Sequence, residues 1–334
     1  MKNKILLIVT IIICLCCLTA CELGSNSKTP INSTVEPVKS NELTTNTKVT
    51  PNSGEEIAPK IKNEEQYTEI KVASAKDLFQ NVKPYTRIIL TEDYYNIAKI
   101  DPEYFRSDYA YLEDSFDGYE VFIHDVDHLE ICSSKDALPE IVSESPHANV
   151  INFKNCKNVK LDGVIAGHAV QKGSCSGGVI NLDNSSNIEI LNCHLYGCGT
   201  YGLTTYDSNY ITLTNSEIYE CSYGLVDLYR SNHFEFNNCT FKDSEEFNML
   251  GIHDCNNVKF QNCIIRGNNC GSYGSLIAAG GSRNIAFTKC LFENNTYNYF
   301  SSVDDDITLT SCKGKDENFE NKYYPDYSGY DYEE

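Results

Sequence analysis

Basic residues are scarce in this sequence. Lys and Arg total 27 against 47 Asp and Glu, the formal net charge is -20, and no Lys/Arg cluster stands outside the extreme N-terminus. That shortage argues against a nucleic-acid partner, whose phosphates need basic patches. It also disfavours polyanionic ligands unless a cation bridges them. No Cys-x-x-Cys pair occurs after Cys21, so the spacing typical of a structural metal site is missing and no metal is expected on that ground. The repeating half of the chain has no apolar stripe at helical spacing and no Leu-x-x-Leu-x-Leu pattern. Helical and leucine-rich solenoids therefore fit poorly.

What is present begins with an address. Lys2 and Lys4 precede an apolar run from Ile5 to Leu18, too short and too early to read as a membrane span. The run ends in Leu18-Thr19-Ala20-Cys21, which resembles a bacterial lipobox. Residues 1–20 are then a lipoprotein signal peptide, with an ordinary signal peptide and an incidental Cys as the alternative. Lipid on Cys21 would hold the protein at a cell membrane, facing outward from the cytoplasm. Residues 21–65 are rich in Ser, Thr, Asn, Pro, Lys and Glu. They bury too little apolar surface to offset ordering entropy and read as a disordered tether.

Ser74-Ala75-Lys76-Asp77 ahead of Leu78, Phe79 and Val82 predicts a capped helix over about 75–82. Arg87–Leu90 and Tyr95–Ile97 alternate like strands, and residues 98–118 read as a loop insertion. A repeat then becomes countable. Leu129, Val159, Ile188, Ile211, Phe234, Val258, Ile285 and Ile307 recur at steps of 22 to 30 residues, each with a second apolar residue two positions on. Fixed-period self-similarity with strand spacing means a β-solenoid. Asn192, Asn215, Asn238 and Asn262 follow four residues after the first apolar position, and Asn tolerates the left-handed backbone of a tight turn. Gly163, Lys289 and Ser311 break that column, so the end coils should be less regular.

These features together resemble the right-handed parallel β-helix of the pectin-lyase-like superfamily, including its asparagine ladder. The resemblance implies an all-β fold with a short N-terminal capping helix, a β-helix over 66–312 and an acidic, Tyr-rich tail over 313–334 that partly caps the open end. It says little about activity, since one fold hosts many functions.

Twelve cysteines follow Cys21. Inward side chains on adjacent parallel strands stand about 4.8 Å apart, whereas a disulfide wants Cβ atoms nearer about 3.8 Å. The repeated Cys column is therefore read as core, and Cys198 with Cys221 is the better disulfide candidate.

Carrying the strand register across coils places two outward columns on one sheet. One contains Asn181, Thr204 and Asp227, and the other Lys154, Asp183, Tyr206, Tyr229 and His253. In enzymes of the resembled fold this face usually carries the substrate groove. Tyr206 and Tyr229 suit sugar rings, with Lys154, Asn181, Thr204 and Arg230 as further ligand-binding candidates. Asp183, Asp227 and His253 are the candidate acid–base residues; an ordinary solvated strand face is the alternative.

The enzyme signatures of that superfamily are incomplete. Gly167-His168 runs into Ala169, no Arg-x-Lys exists, and Asp101-Pro102-Glu103 lacks the His of an Asp-Pro-His run. Asp304-Asp305-Asp306 reads as a turn rather than a calcium site. The expectation is a monomeric, lipid-anchored β-helix that binds carbohydrate on this face without a required cofactor, calcium being the one candidate. A polysaccharide lyase or glycosidase on the same face is one alternative, and a structural or adhesive module is the other.

Overall fold

Successive repeats stand in register. Leu129, Val159, Ile188, Ile211, Phe234, Val258, Ile285 and Ile307 pair one with the next in neighbouring parallel strands. The computed structural model describes residues 67–134, 138–170, 175–197, 199–301 and 306–316. The signal peptide, Cys21, the tether, Cys198, Asp304, Asp305 and residues 317–334 lie outside them.

Each coil visits three sheets in turn. One coil runs through Ile180–Asp183 of an eight-stranded sheet (sheet 3), Ser186–Leu191 of a ten-stranded sheet (sheet 1) and His194–Tyr196 of a nine-stranded sheet (sheet 2). The chain thus folds as an all-β, right-handed parallel β-helix. Inward residues close the core between the sheets. Phe260 stacks on Phe236 and Phe287 at 4.5 and 4.4 Å, a continuous aromatic column along the coil axis.

Thr68–Val72 opens the fold as the end strand of sheet 1, and helix α1 (Ala75–Gln80) follows it, ending two residues before the expected boundary. Asp77 N donates to the Ser74 hydroxyl at 3.0 Å, and Ala75, Leu78 and Phe79 are buried. Residues 98–118 are not simply a loop. They contain Ala110–Ser115, which pairs antiparallel with Gly118–His124 and adds a hairpin strand to the edge of sheet 3. The acidic residues Glu113 and Asp114 hid this strand, although Asp117-Gly118 is a hairpin signal.

The turns are more regular than the asparagine pattern implies. Asn192, Asn215, Asn238 and Asn262 have φ of 52 to 55°, and Gly163, Lys289 and Ser311 keep the same left-handed backbone at 68, 56 and 55°. Asn215 donates through Nδ2 to Asn192 Oδ1, and Asn238 to Asn215 Oδ1, both at 3.3 Å. Two further left-handed columns lie at the corner between sheets 3 and 1, one through Asn155, Asn184 and Asp207 and one through Asn158, Asn187 and Tyr210. Between them runs a buried hydroxyl ladder. The backbone N–H of Cys156, Ser185 and Ser208 donates to the hydroxyl of Ser185, Ser208 and Ser231 respectively, so these turns leave no buried donor unpaired.

Cys156, Cys193, Cys239, Cys255, Cys263 and Cys290 are buried core thiols. Burial pushes Cys156 and Cys255 up to about 11 and Cys193 up to about 12, which keeps them protonated and unreactive. The last strand among the described residues is Lys313–Gly314. Beyond it, Asp316 turns inward and accepts from Asn295 N at 2.8 Å and Asn295 Nδ2 at 3.1 Å. Among the described residues, no helix is long and apolar enough to cross a membrane.

Candidate functional site

Strands of sheet 3 are short, and alternation leaves them two outward positions per coil. Register stacks Asn152, Asn181, Thr204, Asp227 and Gly251 in one column, and Lys154, Asp183, Tyr206, Tyr229 and His253 in the other.

The second column is an aromatic stack. Tyr206 and Tyr229 lie 5.5 Å apart and 12° from parallel, and Tyr229 and His253 lie 4.8 Å apart at 27°. This corrects the expectation that both tyrosines present a face to ligand. Both faces of Tyr229 are covered by its neighbours, so only the outer faces of Tyr206 and His253 remain open. The strand spacing of about 4.8 Å is close enough for rings on successive coils to stack on each other. Beyond His253 the next outward residue is Gly280. A methyl group there would meet only His253 Nδ1, at 3.7 Å, so that side of the imidazole is unobstructed.

A second aromatic row, invisible to strand alternation, flanks the first column. Tyr201, Tyr223 and Phe247 sit in the segments that lead into three successive sheet 3 strands. They meet edge to face, Tyr201 to Tyr223 at 6.4 Å and Tyr223 to Phe247 at 4.9 Å. Tyr201 leans across Gly224, whose missing side chain leaves room for the ring. Burial first, and then the charge of Asp227, drive the Tyr201 hydroxyl well above its ordinary range. Thr204, Asp227 and Gly251 therefore floor a trough between two aromatic rows.

Asp227 is the chemically unusual residue of that floor. Its side chain is 13% exposed, and the imidazole Nε2 of His253 is 3.8 Å from Oδ1, beyond hydrogen-bond reach. No donor among the described residues reaches the carboxyl group. Burial holds it above the usual carboxylate range, and His253 only partly offsets that. Two coils away in the same column, Asn181 Oδ1 is likewise buried without a partner, while Asn181 Nδ2 donates to Asn152 Oδ1 at 3.1 Å.

The remaining candidates disperse. Asp183 lies two coils from Asp227 and in the other column. Two strand spacings and two residues along a strand put their α-carbons roughly 12 Å apart, so they do not converge as an acid–base pair. Arg230 occupies a left-handed turn with φ of 45° and clamps Asp207 with two bonds of 2.9 Å, which commits its guanidinium away from the trough. Lys154 is exposed beside Asp183. No group of three or more His, Cys, Asp or Glu among the described residues is arranged to hold a metal ion.

The trough thus offers the carboxyl group of Asp227, the hydroxyls of Thr204 and four tyrosines, and aromatic surface on both sides. A polyhydroxylated ligand is the complement: many hydroxyl donors on a ring with apolar C–H faces.

The architecture matches the family described as right handed beta helix region over residues 147–313. Among solved structures, pectate lyase Pel9A is similar with a TM-score of 0.51 and 11% identity, covering 75% of this chain and 79% of its own. Pectate lyase Bsp165PelA from Bacillus sp. N165, solved with trigalacturonate, gives 0.50 and 11%, covering 78% and 87%. The Streptococcus pneumoniae surface protein and adhesin PfbA gives 0.43 and 11%, covering 75% and 86%. Likeness at such identity speaks to the fold. A search of curated protein sequences gives no match.

Proposed function

The chain belongs to the right-handed β-helix family, and we propose that it is a carbohydrate-binding member of it, acting as a monomer held at the cell surface by lipid on Cys21. One observation carries the binding reading. Asp227 is a nearly buried carboxyl group with no hydrogen-bond donor, set between two rows of aromatic side chains. A partly buried carboxyl group without a protein donor keeps its remaining exposed surface for a ligand, and a carboxyl group shifted by burial in such a place marks a candidate functional site. Sugar hydroxyls donate to Asp227, while the open face of Tyr206 and the row at Tyr201 and Tyr223 cover the ring.

The lipid anchor rests on the order of basic start, apolar run and Leu18-Thr19-Ala20-Cys21. Incorporation of labelled palmitate in the native host that disappears in Cys21→Ser tests it; equal labelling of both overturns it. The binding reading is tested on a glycan array with wild type, Tyr206→Ala and Tyr201→Phe. Loss of the wild-type signals in both variants supports it, and no signal for wild type overturns it.

The same geometry favours a second reading, catalysis on this face. A carboxyl group whose affinity for its proton is raised by burial, beside an imidazole, suits a proton donor. The distance of Asp183 argues for binding over hydrolysis by paired carboxylates. Release of unsaturated or reducing ends from a polysaccharide, abolished by Asp227→Asn, would establish the enzyme instead.

A further inference from the structure

Away from that trough, the corner between sheets 3 and 1 carries an axial groove. One cavity of about 720 Å³ is lined by Asn209, Tyr210, Asn232, His233 and Asn256, among others. A second, of about 360 Å³, continues it toward the N-terminal coils and shares Ser186 and Asn209 with the first. We propose that this groove is a second carbohydrate site, in which stacked asparagine amides read the hydroxyls of an extended neutral oligosaccharide, coil by coil.

Two departures from what the fold itself requires point there. Asn209, Asn232 and Asn256 open three successive strands of sheet 1 and pair in register with Ser186 and Arg283. They are not among the left-handed residues, so turn geometry makes no demand for Asn at these positions; Asn232 Oδ1 does accept the backbone N–H of Asn256 at 2.9 Å, while Ser and Arg stand at the equivalent places on neighbouring coils. Conversely, Tyr210 has φ of 61° in a column where four other coils use Asn158, Asn187, Asn257 and Asn284, and where Tyr85 and His128 on the first coils form a like stack. A bulky side chain is unfavourable in that conformation, yet the fold places an exposed tyrosine there. Asn stands where turn geometry does not need it, and an aromatic ring stands where turn geometry prefers Asn.

The amides are fixed in orientation. Asn232 Nδ2 donates to Asn209 Oδ1 at 3.2 Å, and Asn256 Nδ2 donates to Asn232 Oδ1 at 3.2 Å. A carboxamide has two N–H donors and two acceptor lone pairs. Each Nδ2 in this ladder therefore keeps one N–H for a ligand, and Asn209 and Asn256 keep acceptor capacity. An N–H beside a C=O is complementary to a pair of vicinal hydroxyls. Tyr210 and His233 stack at 4.6 Å and 2°, and their polar tips have no hydrogen-bond partner among the described residues. The repeat along the groove is the strand spacing, about 4.8 Å, comparable with the rise of one sugar in an extended chain. The larger cavity has no carboxylate, lysine or arginine in its lining, which suits a neutral glycan. Because the ladder holds the amides before ligand arrives, little ordering cost falls on binding.

The test is isothermal titration of the whole chain with cello-, xylo-, manno- and chito-oligosaccharides from dimer to hexamer. Tyr210→Asn and Asn256→Ser copy residues that other coils already use at the equivalent places, and melting curves check that each variant folds. At least one series should bind with affinity that climbs with chain length and then levels off. Titrated on a Tyr206→Ala background, so that the sheet 3 trough does not contribute, each variant should weaken it at least about fivefold, the equivalent of one lost hydrogen bond. Absence of binding in every series, or binding indifferent to both groove variants, overturns the proposal. Binding abolished by Tyr206→Ala and untouched by the groove variants places the sugar in the sheet 3 trough alone, so the two sites stand or fall separately.

Discussion

Gly251 lies so close beneath Asp227 that a methyl group on its α-carbon would come within 2.6 Å of Asp227 Oδ1. The floor of the trough is therefore cut to fit that carboxyl group. Gly251→Ala should push the carboxyl out of place and weaken glycan binding by about tenfold, the equivalent of about 1.4 kcal/mol. The clash is with the end of a side chain, so stability should change by less than about 1 kcal/mol. Paired titration and urea-unfolding measurements check this; binding equal to wild type would refute the assigned role of Asp227.

Asp227 also predicts a pH signature. Burial raises its carboxyl above the ordinary value of 3.8, so the folded protein holds this proton more tightly than the unfolded chain does. Its contribution to stability is present below the unfolded value and is lost as pH rises through the folded one. Asp227→Asn should therefore melt above wild type at neutral pH, and the gap should close as pH falls below 3.8. Melting curves across pH for both proteins check it; a gap independent of pH would contradict it.

Asp316 terminates a buried polar ladder in which Asn268 N donates to Asn295 Oδ1 at 3.2 Å, and Asn295 in turn donates to Asp316. Asp316→Ala leaves Asn295 N and Nδ2 without their acceptor. That should cost about 1–3 kcal/mol and fall mainly on the last coils, since solenoid repeats depend on their neighbours. Hydrogen exchange should show faster opening over 291–316 than over 186–214. Uniform protection in both would show that Asp316 is not the cap.

The strand register was legible in the sequence because its signal is periodic. Ile188, Ile211 and Phe234 recur at a constant step and share a face with Ile190, Leu213 and Phe236. Once that register is known, the outward columns follow by alternation, and Asp227, Tyr229 and His253 emerge together. The row at Tyr201, Tyr223 and Phe247 lies between sheets, where no alternation applies. A trace of it was nevertheless present as Tyr201-Gly202, Tyr223-Gly224 and Tyr273-Gly274. At each of those glycines a side chain would collide with neighbouring atoms at 2.1 to 2.3 Å. Nor does the sequence show that Arg230 is committed to Asp207, since that depends on a turn conformation on two adjacent coils.

The central claim is that sugar lies in the trough of sheet 3. A crystal structure with the best oligosaccharide from the array tests it most directly. Density is expected over Thr204, Asp227 and Gly251, with a sugar hydroxyl donating to Asp227 and a ring against Tyr206 or Tyr201. Density elsewhere on the coil, with that trough empty at saturating ligand, would contradict it.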